Sequence, residues 1–166
     1  INLTCQAAIN PSGKALVPQI HGEIWNTEYK VGDPIIFTRN DYDAGVQNGS
    51  LARLVSVQPL HEGELGTVRL DDTGDALPLS KTFLDNMQLG YAMTLHKTQG
   101  SQVPRVIIAL TESRLIDRSW IYTAITRSES EVHIVGAKST FSTAVTKESA
   151  HHMRKTYLRE LLLDQI

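Results

Sequence analysis

The sequence holds one cysteine among its 166 residues, so Cys5 has no partner for an internal disulfide and reads as a small apolar residue. No basic, apolar and small-residue leader opens the chain, and an intracellular, reducing, cytoplasmic setting is the expectation. No apolar run approaches the roughly 20 residues that span a bilayer, which excludes a helical membrane segment. Internal repeats and low-complexity tracts are also missing. A metal-ligand pattern is lacking: the six histidines include the pair His151-His152, but helical neighbours point about 100° apart and no cysteine pair accompanies them. Gly13-Lys14 does not make a phosphate-binding loop, because Ala8 stands where the loop needs glycine and Ala15 where it needs Ser or Thr. The chain starts at Ile1 rather than methionine, the expected sign of a piece cut from a longer protein or of a processed product.

What is present is ordinary in amount and uneven in placement. A hydrophobic share of 41% and a charged share of 20% suit a soluble globular protein, and the length fits one domain or a domain carrying a small insert. Residues 1–90 hold 6 Lys/Arg against 11 Asp/Glu, whereas residues 91–166 hold 10 against 7. That balance excludes a globally basic nucleic-acid binder and leaves room for a local basic site in the second half.

Residues 1–11 read as a short helix stopped by Asn10-Pro11, since the residue before proline is pushed out of the helical region. A polar, irregular span follows through Trp25 and Tyr29. Residues 29–34 then form a turn that launches a strand at 35–38, and a polar knot, Arg39-Asn40-Asp41-Tyr42-Asp43, comes next. Asn48-Gly49 predicts a two-residue hairpin turn. Strands are expected at 51–57, 67–70 and 76–79, with the turn-rich 71–75 before the last. Short strands joined by tight turns suggest a small twisted barrel at about 46–86.

The second half opens on Tyr91-Ala92-Met93-Thr94-Leu95-His96-Lys97-Thr98-Gln99-Gly100-Ser101-Gln102-Val103-Pro104, which runs into the apolar segment 105–110. Polar groups crowded beside a buried strand need partners, and a glycine lets backbone approach a ligand, so this stretch is the candidate site. The continuous apolar strand suits a parallel sheet covered on both faces. Residues 115–128 have helical periodicity with Trp120, Ile121, Ala124 and Ile125 on one face, and Arg127 near the end. A strand at 131–135 closes on Gly136, and helices are expected at 141–147 and 151–164. The alternation of strand and helix predicts an α/β layer structure.

Tyr91 to Ser101 resembles motif V of superfamily 1 helicases of the RecD type, and Tyr122-Thr123-Ala124-Ile125-Thr126-Arg127 resembles their motif VI. Residues 2–11, ending in Asn-Pro, and Gly32-Asp33 with Arg39-Asn40-Asp41-Tyr42 and Asn48-Gly49 resemble two upstream family segments. The likeness runs in the family's order up to Gly136. It implies a RecA-like parallel sheet with helices on both faces, helicase domain 2A at 1–45 and 87–166. It further implies an inserted Src-homology-like β-barrel, domain 2B, at 46–86. The partner domain implied, a first RecA-like domain of the same protein, would hold ATP and Mg²⁺ with the Mg²⁺ ligands outside this chain. A chain with no phosphate-binding loop is therefore expected not to turn over ATP by itself.

The same resemblance gives roles to residues. Thr94, His96 and Lys97 supply a hydroxyl, an imidazole and an ammonium within four residues, fit for the phosphate oxygens of single-stranded DNA. Asn40 and Tyr42 either approach the strand, with the tyrosine ring as a stacking platform, or belong to a turn capped by Asn40-Asp41. Gly100 and Gln102 are expected to face the nucleotide; Gln102 stands where glutamate is commoner, and its amide can accept a ribose hydroxyl without charge assistance. Arg127 is the expected arginine finger, with Ser128-Glu129 where the family often has a second basic residue. The function implied is the C-terminal motor portion of an ATP-dependent DNA helicase of the exonuclease V alpha subunit family, moving 5′ to 3′. Other subunits of a nuclease-helicase complex are possible partners. The alternative is a nonhydrolytic DNA-binding or protein-docking module from a conjugative relaxase.

Overall fold

The Asn10-Pro11 step ends the first helix as the proline rule requires: α1 spans Asn2–Ile9, and the Asn10 backbone N–H closes its last turn on the Gln6 carbonyl. The structure is a computed structural model that describes residues 1–20, 23–58, 64–98 and 102–148. Contacts divide the chain into two units, Ile1–Lys97 and Thr98–Ile166.

In the first unit α1 is followed by an antiparallel ribbon of β1 (Gln19–Ile20) and β2 (Glu23–Ile24), a regularity absent from the sequence pattern there. The main sheet holds β3 (Pro34–Phe37), β4 (Leu51–Val57), β5 (Gly66–Leu70), β6 (Ala76–Leu79) and β7 (Met87–Leu89). All its pairings are antiparallel, in the order β6-β5-β4-β3-β7. Strands β4 to β6 fall where short strands were expected within 46–86. Their sheet continues into β3 and β7, which flank that interval, and among the described residues the order does not close on itself.

Side-chain alternation explains the packing of β4. Ala52 and Leu54 point into the core, and the register then shifts between Leu54 and Ser56, so Val55 is the extra residue and Val57 rather than Ser56 turns inward. Ile35, Phe37, Leu54, Val68, Leu79 and Leu89 make the core with Leu16 and Val46 from the connections. Helix α2 (Lys81–Asp85) is capped by the Ser80 hydroxyl, which accepts from the Phe83 N–H, and it sets the Phe83 ring edge-on to Phe37 with centroids 5.2 Å apart.

Asn48-Gly49 does not form the expected two-residue hairpin. It is the centre of a turn closed by Ser50 N–H on the Gln47 carbonyl, at the far end of a loop over 38–50 that contains its own Asp41–Val46 bridge. The local turn preference was satisfied, but Phe37 pairs across to residues 49 and 50 rather than to the residue before Asn48.

Two tyrosines fix the packing of this unit and give it a pH signature. The Tyr29 hydroxyl donates to the Met87 carbonyl at 2.8 Å, and burial, then the neighbouring Glu28 charge, pushes it up to about 12. Tyr91, whose hydroxyl donates to Asp33, is also pushed up to about 12, first by burial and then by that carboxylate. Both values lie above the ordinary 10.0, so the unfolded chain loses these protons first. Their stabilisation is complete below about pH 10 and is lost as pH rises towards about 12. Urea midpoints measured from pH 9 to 12 should fall more steeply for the parent than for Y29F; parallel curves would contradict this.

The second unit pairs β8 (Val103–Ala109) with β9 (Ser128–Val135) in parallel, joined through α3 (Arg118–Ile125). Asp117 caps α3 by accepting from the Trp120 N–H at 2.8 Å, which starts the helix later than periodicity suggested. Ile121 and Ala124 are its buried residues, α4 (Lys138–Thr146) packs against it, and Tyr122 is exposed. Coverage of both sheet faces is not found among the described residues. Ile107 is 73% exposed, on the face where Glu131 pairs with Arg105 and His133. The helix expected at 151–164 lies outside the described residues. No helix among the described residues is long and apolar enough to cross a membrane.

Candidate nucleic-acid interface

The segment after β7 is tied down before its polar residues emerge. Gly90 N–H donates to the Pro34 carbonyl, the Tyr91 hydroxyl to Asp33 Oδ1 at 2.8 Å, and Ala92 N–H to Asn2 Oδ1 at 2.6 Å. The chain then makes a 3₁₀ turn, Leu95–Thr98, entered by the Lys97 N–H bonding back to the Thr94 carbonyl. Thr94 and His96 are exposed and Lys97 is half-buried. Lys97 Nζ donates to Gln88 Oε1 at 2.7 Å in an exposed hydrogen bond. A hydroxyl, an imidazole and an aimed ammonium thus occupy one short turn.

The loop over 38–50 lies against that turn. A Cβ on Gly49 would stand 3.2 Å from the Lys97 carbonyl, so the two backbones are already in near contact. In the same loop Asn40 Oδ1 accepts from the Asn48 N–H at 2.7 Å and its Nδ2 donates to the Tyr42 hydroxyl at 2.8 Å. The Tyr42 ring is 80% exposed with its hydroxyl anchored, an arrangement that presents an aromatic face. Turn capping is also present: Asp41 Oδ1 accepts from the Ala44 N–H at 3.1 Å. Asn40 and Asp41 therefore both bond backbone N–H groups of the loop, and Asn40 also holds the Tyr42 hydroxyl.

In the second unit Arg127 sits one residue beyond the C-cap of α3, directly before β9. Its Nε donates to the Thr123 carbonyl at 3.3 Å, which turns the root of the side chain back on the helix end. The Arg127 carbonyl accepts from the Val103 N–H at 3.0 Å, and Gln102, exposed, precedes Val103. Gln102 and Arg127 therefore share the edge where both parallel strands begin. Gly100 lies outside the described residues.

Two functional candidates escaped the sequence reading. Gln88, on the exposed side of β7, orients Lys97, and nothing local marks it. Asp33 is completely buried and accepts from Gln6, Asn10, Tyr91 and the Lys30 N–H. Its signal was legible in one respect: Asn2, Gln6 and Asn10 recur every four residues, a polar stripe on one helix face.

Comparison with known proteins bears on these sites. Residues 89–135 match the UvrD-like helicase C-terminal domain. The chain is 34% identical over 141 residues to the RecBCD enzyme subunit RecD of Mycolicibacterium smegmatis, covering 84% of this chain and 23% of that protein. It is 33% identical over 162 residues to the ATP-dependent RecD2 DNA helicase of Deinococcus radiodurans, covering 96% and 21%. The chain thus spans about a fifth of the length of these curated relatives. Among solved structures, Pif1 helicase from Bacteroides in complex with ADP-AlF3 and ssDNA superposes with a TM-score of 0.55 at 18% identity, covering 76% of this chain and 33% of that one. That structural likeness extends to the fold alone, a mixed α/β arrangement. With motif-like segments inside the matched region, the chain belongs to the RecD-type superfamily 1 helicase family, as its C-terminal helicase domain.

Proposed function

We propose that this chain is the C-terminal motor portion of an ATP-dependent DNA helicase that moves 5′ to 3′. It binds single-stranded DNA through Thr94, His96 and Lys97, with Tyr42 as a stacking face braced by Asn40. The observation that carries this reading is the exposed 3₁₀ turn with its aimed lysine, backed by the loop that holds out Tyr42. In this reading residues 1–45 and 87–166 form the RecA-like domain 2A, and 46–86 form the barrel insert 2B. Arg127 reaches ATP held by a first RecA-like domain elsewhere in the protein, with Gly100 and Gln102 beside the nucleotide. The donor set fits a nucleotide: Arg127 and Gln102 begin adjacent parallel strands and offer a guanidinium and a carboxamide at one edge. ATP, with Mg²⁺ bound outside this chain, would supply the phosphoanhydride bond whose hydrolysis drives movement. Partners proposed are single-stranded DNA, the first RecA-like domain and subunits of a nuclease-helicase complex.

The test is anisotropy of a fluorescein-labelled oligodeoxythymidylate titrated with the chain at several salt concentrations. With two or three phosphates neutralised, affinity should fall roughly as the second power of salt. K97A should weaken binding about tenfold and flatten that dependence. Salt-independent binding, or a K97A variant indistinguishable from the parent, would sink the assignment of the DNA grip. The chain by itself should not hydrolyse ATP. In the full-length protein, DNA binding without DNA-stimulated ATP turnover would instead favour a nonhydrolytic module.

A further inference from the structure

We propose that Asp33 and Tyr91, with the polar face of α1, form a clasp that positions the 94–97 turn for DNA, which makes Asp33 and Tyr91 positioning residues. The proposal rests on the reading of Thr94, His96 and Lys97 as the DNA grip.

Asp33 is completely buried, and its two oxygens meet four donors. Oδ1 accepts from Asn10 Nδ2 at 2.6 Å and from the Tyr91 hydroxyl at 2.8 Å; Oδ2 accepts from Gln6 Nε2 and from the Lys30 N–H at 2.7 Å. Four donors satisfy the four acceptor positions of a carboxylate, which is the condition for keeping such a group in the interior. Three of these partners are remote in sequence, so the hub joins α1, the turn before β3 and the segment after β7. A second bond lies beside it: Asn2 Oδ1 accepts from the Ala92 N–H at 2.6 Å. Tyr91 and Ala92 are thus gripped at a side chain and at the backbone, two residues before the exposed Thr94.

The orientation of α1 indicates what the contact is for. Its Gln6 is 5% exposed, while Leu3 is 58% and Ile9 71% exposed. Within this unit the helix docks by its amides and leaves apolar side chains outside, the reverse of a helix held by hydrophobic burial. Amide-to-carboxylate bonds are directional where apolar contact is not, so such a contact fixes the angle and height at which the following segment leaves. The segment leaving here is the one that carries His96 and Lys97.

The experiment compares Y91F, N2A, K97A and the double variant Y91F/K97A in the full-length protein that carries this chain. Two quantities are read: the dissociation constant for a labelled oligodeoxythymidylate with its salt slope, and the melting temperature. A positioning role predicts that Y91F and N2A each weaken DNA binding about tenfold and flatten the salt slope towards that of K97A. It also predicts that Y91F costs less affinity in the K97A background than in the parent, because Tyr91 acts through the turn that carries Lys97. A purely structural role lowers the melting temperature and leaves the affinity of the folded protein at the parental value. That result for both Y91F and N2A, with K97A impaired, overturns the clasp while leaving the DNA grip intact. An unimpaired K97A overturns the grip and, with it, the clasp that rests on it. N2A removes an acceptor without touching Asp33, so it decides the matter even if Y91F fails to fold.

Discussion

In the intact protein, R127A is expected to reduce DNA-stimulated ATP turnover by about 10³-fold or more, the effect of removing an arginine finger from phosphoryl transfer. Single-stranded DNA affinity should stay within about twofold of the parent, since the proposed DNA contacts lie on other residues. A competing structural explanation is available and is separable. Arg127 Nε donates to the Thr123 carbonyl at the end of α3, so alanine also removes a helix-end interaction. A part-buried interaction of that kind stabilises by at most about 2 kcal/mol, too little to lower turnover a thousandfold through unfolding of an ordinary stable domain. R127K sharpens the contrast. Lysine keeps a positive charge at the helix C-terminus but cannot offer a planar fork to equatorial phosphoryl oxygens. The finger predicts that R127K is nearly as inactive as R127A and melts at the parental temperature; a helix-end role predicts that R127K restores activity. Near-normal turnover in R127A removes Arg127 from the catalytic step.

Arg127 could be singled out as a candidate from the sequence, and the hub at Asp33 could not, because of the range of the interactions involved. Motif-like spacing is local: Tyr122 to Arg127 sits within one helical turn and its exit, the strand at 51–57 follows from alternation over a few residues, and that at 76–79 from the turn-rich 71–75 before it. The stop at Asn10-Pro11 is equally local. Asp33 instead gathers Gln6 and Tyr91 from far along the chain on either side, and no pattern inside 29–34 reports on them. The bulge at Val55 is invisible for the same reason, because it is defined by the partner strand β5. The Asn48-Gly49 turn shows a third case. The dipeptide does turn, but which strands it connects was decided by a loop with its own bridge. Gln88 shows a fourth, since its use depends wholly on where Lys97 arrives.

G66A is expected to destabilise the first unit by on the order of 3 kcal/mol, near the upper end for single substitutions. Gly66 pairs with Val57 in the β4–β5 ladder, just beyond the bulge, at φ 155. A Cβ there would stand 2.2 Å from the Ser56 carbonyl oxygen and 3.0 Å from both the Ser56 carbonyl carbon and Val57 Cα. These are backbone atoms, so no rotamer change relieves the contact; β4 and β5 must separate or slip. Slippage by one residue would turn Leu54, Val57 and Val68 away from the core they fill. Gly74 provides the control: at φ 76, with nothing within 4 Å of its would-be Cβ, G74A meets only backbone strain, a cost of about 1–2 kcal/mol. Thermal melts should then rank parent, G74A and G66A in falling order, with the first unit of G66A melting roughly 12–24 °C below the parent. Equal melting temperatures for G66A and G74A would mean that the β4–β5 approach yields more readily than its backbone contacts imply. Because Gly49, next to Lys97, belongs to the loop that leads into β4, a loosened β4 should also weaken DNA binding at temperatures below the melt. Anisotropy titrations of G66A over that range would register the loss before the unfolding transition does.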